Sequence, residues 1–560
     1  MDLTTILTGM LPAVVIVAGI LTAASSVFLL WLYRRATLRG MRQQSGHAVK
    51  TVLEQPDGEQ EKTRHNLELV IQNWQNKSLP TPSKETKRFY RKISRSLRST
   101  AIVYALGGLA YALIFTLVWM ITSGGGFVPG RFLWLLICFM WPTVIAINLL
   151  VAINRKESIT IVLGYFAVVI IIALFVLARN PELTIGQTIF FWLFVNLPAS
   201  VLFLSFLYYR IRSVGPLVLA FMVAGVTGAF LLIQFAGSSD NLLRSISAAG
   251  NIFGLGATTL FVLMHVIGFV IFSLLGWYLL KLLGRRYREK RLSDQSLNLD
   301  ALWLTFAVVQ SITLVFEGWA WIFTGLVAFA FYKIVTLTGF AQRRKKAVND
   351  THYPMLLLLR VFALGRRSEK FFDGFSKLWR QAGSIDMIAG PDLVTTAVEP
   401  HEFLDFVSGK MSRQFVKDER DLEQRISALD KKPDPDQRLR VNEFFCHDDT
   451  WQMTMLKLAT ESDAILMDLR SFSQHNQGCL YELEQLLNQI DLDRIVFMVD
   501  QTTDLRFLED SIQALWKNVD SKSPNLKVAS PVLHLFHAKN QNRRTVKSLI
   551  IMLLGQRAAA

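Results

Sequence analysis

The chain changes texture partway along its length. From residue 12 to residue 341, apolar side chains are massed in nine runs of sixteen residues or more, at 12–33, 101–122, 132–153, 158–178, 187–208, 215–235, 253–283, 301–316 and 319–341. After residue 350 they fall into short stretches of six to ten, separated by amphipathic segments. About 20 helical residues span ~30 Å of hydrocarbon, so the runs predict an α-helical polytopic membrane bundle over residues 1–350. The last pair stands apart: 301–316 is short and Glu317-Gly318 makes a tight turn, a pattern that fits a re-entrant hairpin as well as two crossings.

The first run has no basic residue before it and is followed by Arg34 and Arg35, the reverse of a secretory signal peptide. It reads as an uncleaved anchor with the N-terminus outside. Loop charge agrees, since Lys and Arg are retained on the cytoplasmic side. The expected inner segments 34–100, 154–158, 209–214, 281–291 and 343–346 hold 29 basic residues, whereas the expected outer loops hold only Arg131, Arg179 and Arg244. Residues 351–560 are therefore expected on the cytoplasmic face of the plasma (inner) membrane.

Composition adds to this picture. With 51% hydrophobic residues among 560 and a mean hydropathy of +0.33, the massed runs exclude a wholly soluble, fibrous or disordered chain. The net charge of +16 suggests nucleic-acid binding until it is divided at residue 350: residues 1–350 carry 33 basic and 15 acidic side chains, and residues 351–560 carry 27 and 29. The basic excess records membrane orientation, and no nucleic-acid partner is expected. Cys138, Cys446 and Cys479 lack the spacing of a zinc or disulfide framework.

The runs themselves hold few ionisable groups. Lys333 lies near the inner end of its run, where its stem can snorkel, and His265 reads as a neutral histidine bonded to a neighbouring helix. Asn148, Asn196, Gln234 and Gln310 are the polar residues that join helices more often than they line a pore. An anchor or sensor fits better than an ion pump. Within the inner insertion 34–100, Leu67, Val70, Ile71 and Trp74 share one face of an expected helix over 59–77. Thr81-Pro82 marks the start of the next helix. Segment 84–98 places Phe89, Ile93 and Leu97 on one side amid seven basic residues, suited to the anionic inner leaflet or to docking the cytoplasmic domain.

Residues 351–560 read as an α/β doubly wound, flavodoxin-like domain. Apolar runs at 355–364, 384–389, 464–469, 494–499 and 531–537 predict five buried parallel strands, alternating with helical patterns at 368–382, 395–429, 449–462, 478–489, 504–518 and 541–555. An insertion over 415–445 carries the loop Lys431-Lys432-Pro433-Asp434-Pro435-Asp436. Ligands of such sheets sit beyond the carboxyl ends of the strands. That draws attention to Gly365-Arg366-Arg367-Ser368, Gly390-Pro391-Asp392 and the loop 470–478. There is no GxGxxG, GxxxxGK[ST] or GxSxG.

At the third unit, Glu461-Ser462-Asp463 ends a helix and enters the strand Ala464-Ile465-Leu466-Met467-Asp468-Leu469, and Gly478-Cys479-Leu480-Tyr481-Glu482-Leu483 opens the next helix. This resembles the Toll/interleukin receptor (TIR) family, whose third strand is entered from a Ser-Asp-like pair and followed by Cys-x-x-Glu-Leu. The resemblance spans about 355–555 and is close only in this unit. It has departures: strand one reads Leu359-Arg360-Val361-Phe362 without an acidic start, Gly478 stands where a tryptophan is common, and the insertion lengthens the second unit.

The resemblance implies NAD as a substrate, with no cofactor required, and homo-oligomerisation on activation. It places Glu482 as the catalytic carboxylate, facing an oxocarbenium-like state much as in glycosidases. Gly365, Arg366, Arg367, Asp392, Asp468 and Arg470 are the expected nucleotide-binding residues, with Arg366 or Arg367 suited to a pyrophosphate. The plain readings are a solvated helix residue for Glu482 and a local ion pair for Asp468 and Arg470. Cys446-His447-Asp448-Asp449 holds metal-ligand types, but an aspartate there reads first as an N-cap, and no metal is expected. His475 has no assignable partner, and His534 and His537 point to opposite faces of their strand. The expected protein is a membrane-anchored TIR-like signalling or bacterial defence effector, with or without NAD cleavage. The alternative is a non-enzymatic nucleotide- or partner-binding regulatory domain on a membrane sensor or transporter.

Overall fold

The computed structural model describes residues 3–45, 67–75, 83–124, 126–179, 183–206, 214–346, 353–361, 366–390, 398, 400–429, 431–539 and 542–555. Among these, nine helical segments are long and apolar enough to cross a membrane, and each contains most or all of one of the apolar runs. The run at 132–153 is broken at Met140 into helices Pro129–Phe139 and Trp141–Val151, with Pro142 just inside the second. The doubtful pair resolves into helix Asp294–Val315, whose 22 residues measure about 33 Å, and helix Thr324–Lys346, joined through Trp319–Phe323. Both are long enough for full crossings.

Small residues let these helices approach closely. A Cβ on Gly268 would lie 2.5 Å from the Gly228 carbonyl oxygen, and one on Gly228 would meet the Phe272 ring. This crossing joins helices Gly215–Gly237 and Ala257–Arg288 through backbone contact. Elsewhere the polar residues do bridge helices: Tyr111 donates to Gln310 (2.8 Å), Gln310 to Asn196 (3.4 Å), and Asn196 to the Cys138 carbonyl (3.1 Å). Lys333 pairs with Asp300 of the preceding helix at 2.5 Å. His265 bonds the Phe261 carbonyl of its own helix rather than a neighbouring one.

The C-terminal sheet has eight parallel strands in place of the expected five. They are β1 (Val70–Trp74), β2 (Met355–Arg360), β3 (Ser384–Ile388), β4 (Phe415–Val416), β5 (Val441–Cys446), β6 (Ala464–Asp468), β7 (Ile495–Val499) and β8 (Val532–His537), in the order β1-β8-β7-β6-β2-β3-β5-β4. The five expected strands lie together in the middle. Strands β4 and β5 come from the stretch expected as an insertion loop, and the expected helix over 395–429 is split into Pro400–Val407 and Glu419–Ser427 around β4.

Strand β1 overturns the helix expected over 59–77 in the part that is described, residues 67–75; the remainder lies outside the described residues. Its Val70 pairs with Val532 and its Trp74 with Phe536, Trp74 Nε1 donates to His534 Nδ1 at 2.9 Å, and Trp516 donates to the Leu67 carbonyl. Leu67, Leu69 and Ile71 pack on the core of the sheet. Their spacing of two, rather than the i, i+3, i+4 spacing, is the periodicity that tertiary pairing selects.

One face of the sheet is covered by helices Glu419–Ser427, Trp451–Glu461, Gln477–Gln489 and Leu505–Lys517. The other is covered by Arg366–Trp379, Arg543–Gly555 and the beginning of Lys84–Thr122. That last helix starts at Lys84, capped by the Ser83 hydroxyl; Thr81 and Pro82 lie outside the described residues. Its Ile93 and Leu97 are buried among Phe371, Phe375 and Leu553, so the apolar face of 84–98 docks on the α/β domain. Gly268→Val forces the two glycine-crossed helices apart and is expected to cost roughly 1–3 kcal/mol or more, measured as a lower melting temperature of the detergent-solubilised protein.

Candidate functional site

The chain passes from β2 to β3 on one side and returns to β6 on the other, so strand order reverses between β2 and β6. The crevice beyond their carboxyl ends is where an open parallel sheet receives a ligand. A cavity of about 630 Å³ opens at this end. Ile388 and Ala389 line it from the end of β3, Cys446 and His447 from the end of β5, and Cys479 and Glu482 from helix Gln477–Gln489. Trp451 and Asp448 also face it, and so does Met41, the last residue of the first membrane helix.

Glu482 is 5% exposed, and its Oε2 has no hydrogen-bond partner among the described residues. Burial pushes its carboxyl up from the ordinary 4.5 to about 8, against the opposing pull of the Arg360 guanidinium. It is therefore largely a neutral acid at pH 7, not the solvated helix residue of the plain reading. Arg360 ends β2, beside Asp468 on β6 in the parallel register, and its Nη1 lies 3.5 Å from the Ile388 carbonyl. Sequence reasoning did not include Arg360 in the site, although it is the one charge in an otherwise apolar strand.

Asp468 and Arg470 form the local ion pair. Arg470 Nε donates to Oδ1 at 2.8 Å and Nη2 to Oδ2 at 2.6 Å, both side chains are 2–3% exposed, and the guanidinium sits 4.8 Å from the Phe371 ring centroid. Committed in this way, the pair braces the end of β6 and is absent from the cavity wall. Arg366 and Arg367 open helix Arg366–Trp379, while Gly365 and Asp392 lie outside the described residues.

Neither aspartate caps helix Trp451–Glu461. Thr450 occupies the N-cap position without a side-chain cap bond, because its hydroxyl accepts from the His447 N–H at 2.9 Å. Asp449 instead accepts from the N–H and the hydroxyl of Ser45, at 3.0 and 2.7 Å. His475 lines the cavity too. Burial pushes the Cys446 thiol up to about 12 and the Cys479 thiol higher still, so neither is a thiolate near neutral pH. Among the described residues no group of three or more His, Cys, Asp or Glu side chains is arranged to hold a metal.

Comparison of the chain with protein-family models, with curated proteins and with solved structures finds no match.

The raised Glu482 value has a thermodynamic consequence. Unfolded, the carboxyl loses its proton near 4.5; folded, it holds it to about 8. Stability is thus fully retained below pH 4.5 and declines as pH rises through that window, by up to about 1.4 kcal/mol per unit. Glu482→Gln removes this slope, so the variant is expected to match the wild type at pH 5 and exceed it at pH 8.5 in unfolding monitored by tryptophan fluorescence.

Proposed function

We propose that the protein is a multi-pass membrane effector whose C-terminal α/β domain binds NAD in the 630 Å³ cavity and cleaves its nicotinamide–ribose bond through Glu482. The observation that carries this reading is a buried carboxyl, one oxygen of which has no partner among the described residues, lining a cavity beyond the carboxyl ends of β3 and β5. A neutral acid awaiting a cation is suited to this substrate. The pyridinium ring brings a positive charge into the cavity, favours the carboxylate, and passes that charge to the ribose as the bond breaks. Trp451, set edge-on to Tyr481 at 5.4 Å, offers an aromatic face within the same wall.

The domain is read as cytoplasmic, with the N-terminus outside, on the inner membrane. In support, three of the segments expected on the inner side meet the α/β domain: 34–100 at the loop after β5 through Gly40 and at one sheet face through 84–98, 154–158 at Arg543 through Glu157, and 281–291 at Leu404 and Arg440 through Gly284 and Tyr287. The basic residues of 84–98, whose apolar face is already covered, remain suited to the anionic leaflet. Clustering of copies in the membrane is taken as the trigger, in a signalling or bacterial defence role.

The full-length protein, clustered in vesicles and supplied with NAD, is expected to release nicotinamide, and Glu482→Gln to reduce release at least 10²-fold. kcat/KM of the wild type should rise with pH up to about 8, where the free carboxyl ionises. Equal turnover in both proteins removes the catalytic role of Glu482, and NAD binding with no turnover in either identifies a non-enzymatic nucleotide-binding domain instead.

A further inference from the structure

Hydrolysis requires an acceptor for the proton of the attacking water, and the cavity contains one whose orientation is set from the membrane. His447 lines the cavity that holds Glu482. Its Nδ1 lies 2.8 Å from the carbonyl oxygen of Gly40. A carbonyl oxygen only accepts, so in the neutral ring the hydrogen is on Nδ1 and the lone pair is on Nε2. Phe415 stacks on the imidazole with centroids 4.8 Å apart, which limits its rotation.

The Gly40 carbonyl is itself held in place. A Cβ at this position would lie 2.4 Å from Phe415 Cζ, so the helix backbone rests on the aromatic ring. Just beyond, the Asp448 N–H donates to the Gln43 carbonyl at 3.2 Å, and Ser45 holds Asp449. An imidazole with one nitrogen tied to a fixed acceptor and the other bearing a lone pair has the form of a general base. Here the fixed acceptor belongs to helix Leu3–Met41, the first membrane helix.

We propose that His447 is the general base of the cavity and that the Gly40 carbonyl, at the end of the first membrane helix, sets its tautomer. The proposal rests on the NAD-cleaving reading of the site. In the step, the water oxygen bonds to ribose C1′ and its proton passes to His447 Nε2. The C1′–N bond breaks with its electron pair moving onto the pyridinium nitrogen, which leaves as neutral nicotinamide. Glu482 gives up its proton to solvent as the pyridinium binds and faces the ribose cation as a carboxylate between bond breaking and bond making; ADP-ribose and the protonated imidazole remain. Because a shift of about an ångström at Gly40 breaks the Nδ1 hydrogen bond, movement of the membrane helix is transmitted directly to the base.

The test uses the full-length protein in vesicles. His447→Asn keeps an amide donor for Gly40 but has no base, and is expected to lower kcat about 10²-fold with little change in KM. In His447→Ala, added imidazole should restore part of the rate, which a packing role would not allow. Gly40→Ala, which drives a methyl into Phe415, should lower kcat in the same way. Independently of turnover, diethyl pyrocarbonate should modify residue 447 of the wild type, and ADP-ribose should protect it. Unchanged kcat in His447→Asn, or no imidazole rescue in His447→Ala, overturns the base assignment. Unchanged kcat in Gly40→Ala overturns the link to the membrane helix. If the wild type releases no nicotinamide at all, the NAD-cleaving reading is what fails, and an unmodified residue 447 then also removes the assigned tautomer.

Discussion

Charge that is buried at a junction must find its partner there, and in this protein the partners lie on opposite sides of the join between bundle and domain. Arg380 of the α/β domain, 6% exposed, forms a two-pronged pair with Asp294 at the start of a membrane helix. Arg440 is shared between Asp434, the Tyr287 carbonyl and the Tyr287 ring. Ser293, which caps the same membrane helix, donates to buried Asp436. Removing one member of such a set strands another in a low-dielectric setting, a much larger penalty than the pair's own net contribution. The Lys431–Asp436 segment thus serves as a clamp, and the sheet edge that supplies β4 and β5 is held against the membrane helices by it.

With the domain fixed in this way, the helices that leave the bundle become part of its structure. Lys84–Thr122 takes the place of a sheet-covering helix, and Leu3–Met41 supplies both a wall of the cavity and the acceptor for His447. The carboxylate and the imidazole of the site consequently answer to different parts of the molecule. Glu482 is tuned by the sheet, through burial and Arg360, whereas His447 is oriented from the membrane.

The sequence made the bundle and the central strands legible because both rest on long, one-dimensional patterns: runs that match the hydrocarbon thickness, and apolar stretches of strand length between amphipathic helices. It misled where a short segment serves a distant one. Residues 67–74 satisfy a helical and a strand-like spacing together, and only the exposed edge of β8 decides between them. Glu482 was visible from the Cys-x-x-Glu-Leu pattern, but its burial was not. Asp468 and Arg470, two apart at a strand end, pair with each other, an alternative that the sequence also offered. Arg360 escaped notice as a site residue, and His447 stood out only as a metal-ligand type, because their surroundings depend on contacts with residues remote along the chain.

Strand β1 also bears on how the molecule is made. Residue 70 emerges from the ribosome before all but the first membrane segment, yet the strand beside which it lies ends at residue 537. Contacts of such long sequence separation form late, because the intervening chain must first be ordered. The sheet is therefore completed only after residue 537 has been synthesised and the helices between have formed. A chain that stops before β8 leaves Leu69 and Ile71 without their core, so the segment after the first membrane helix is tied in the fold to one more than 450 residues further along the chain.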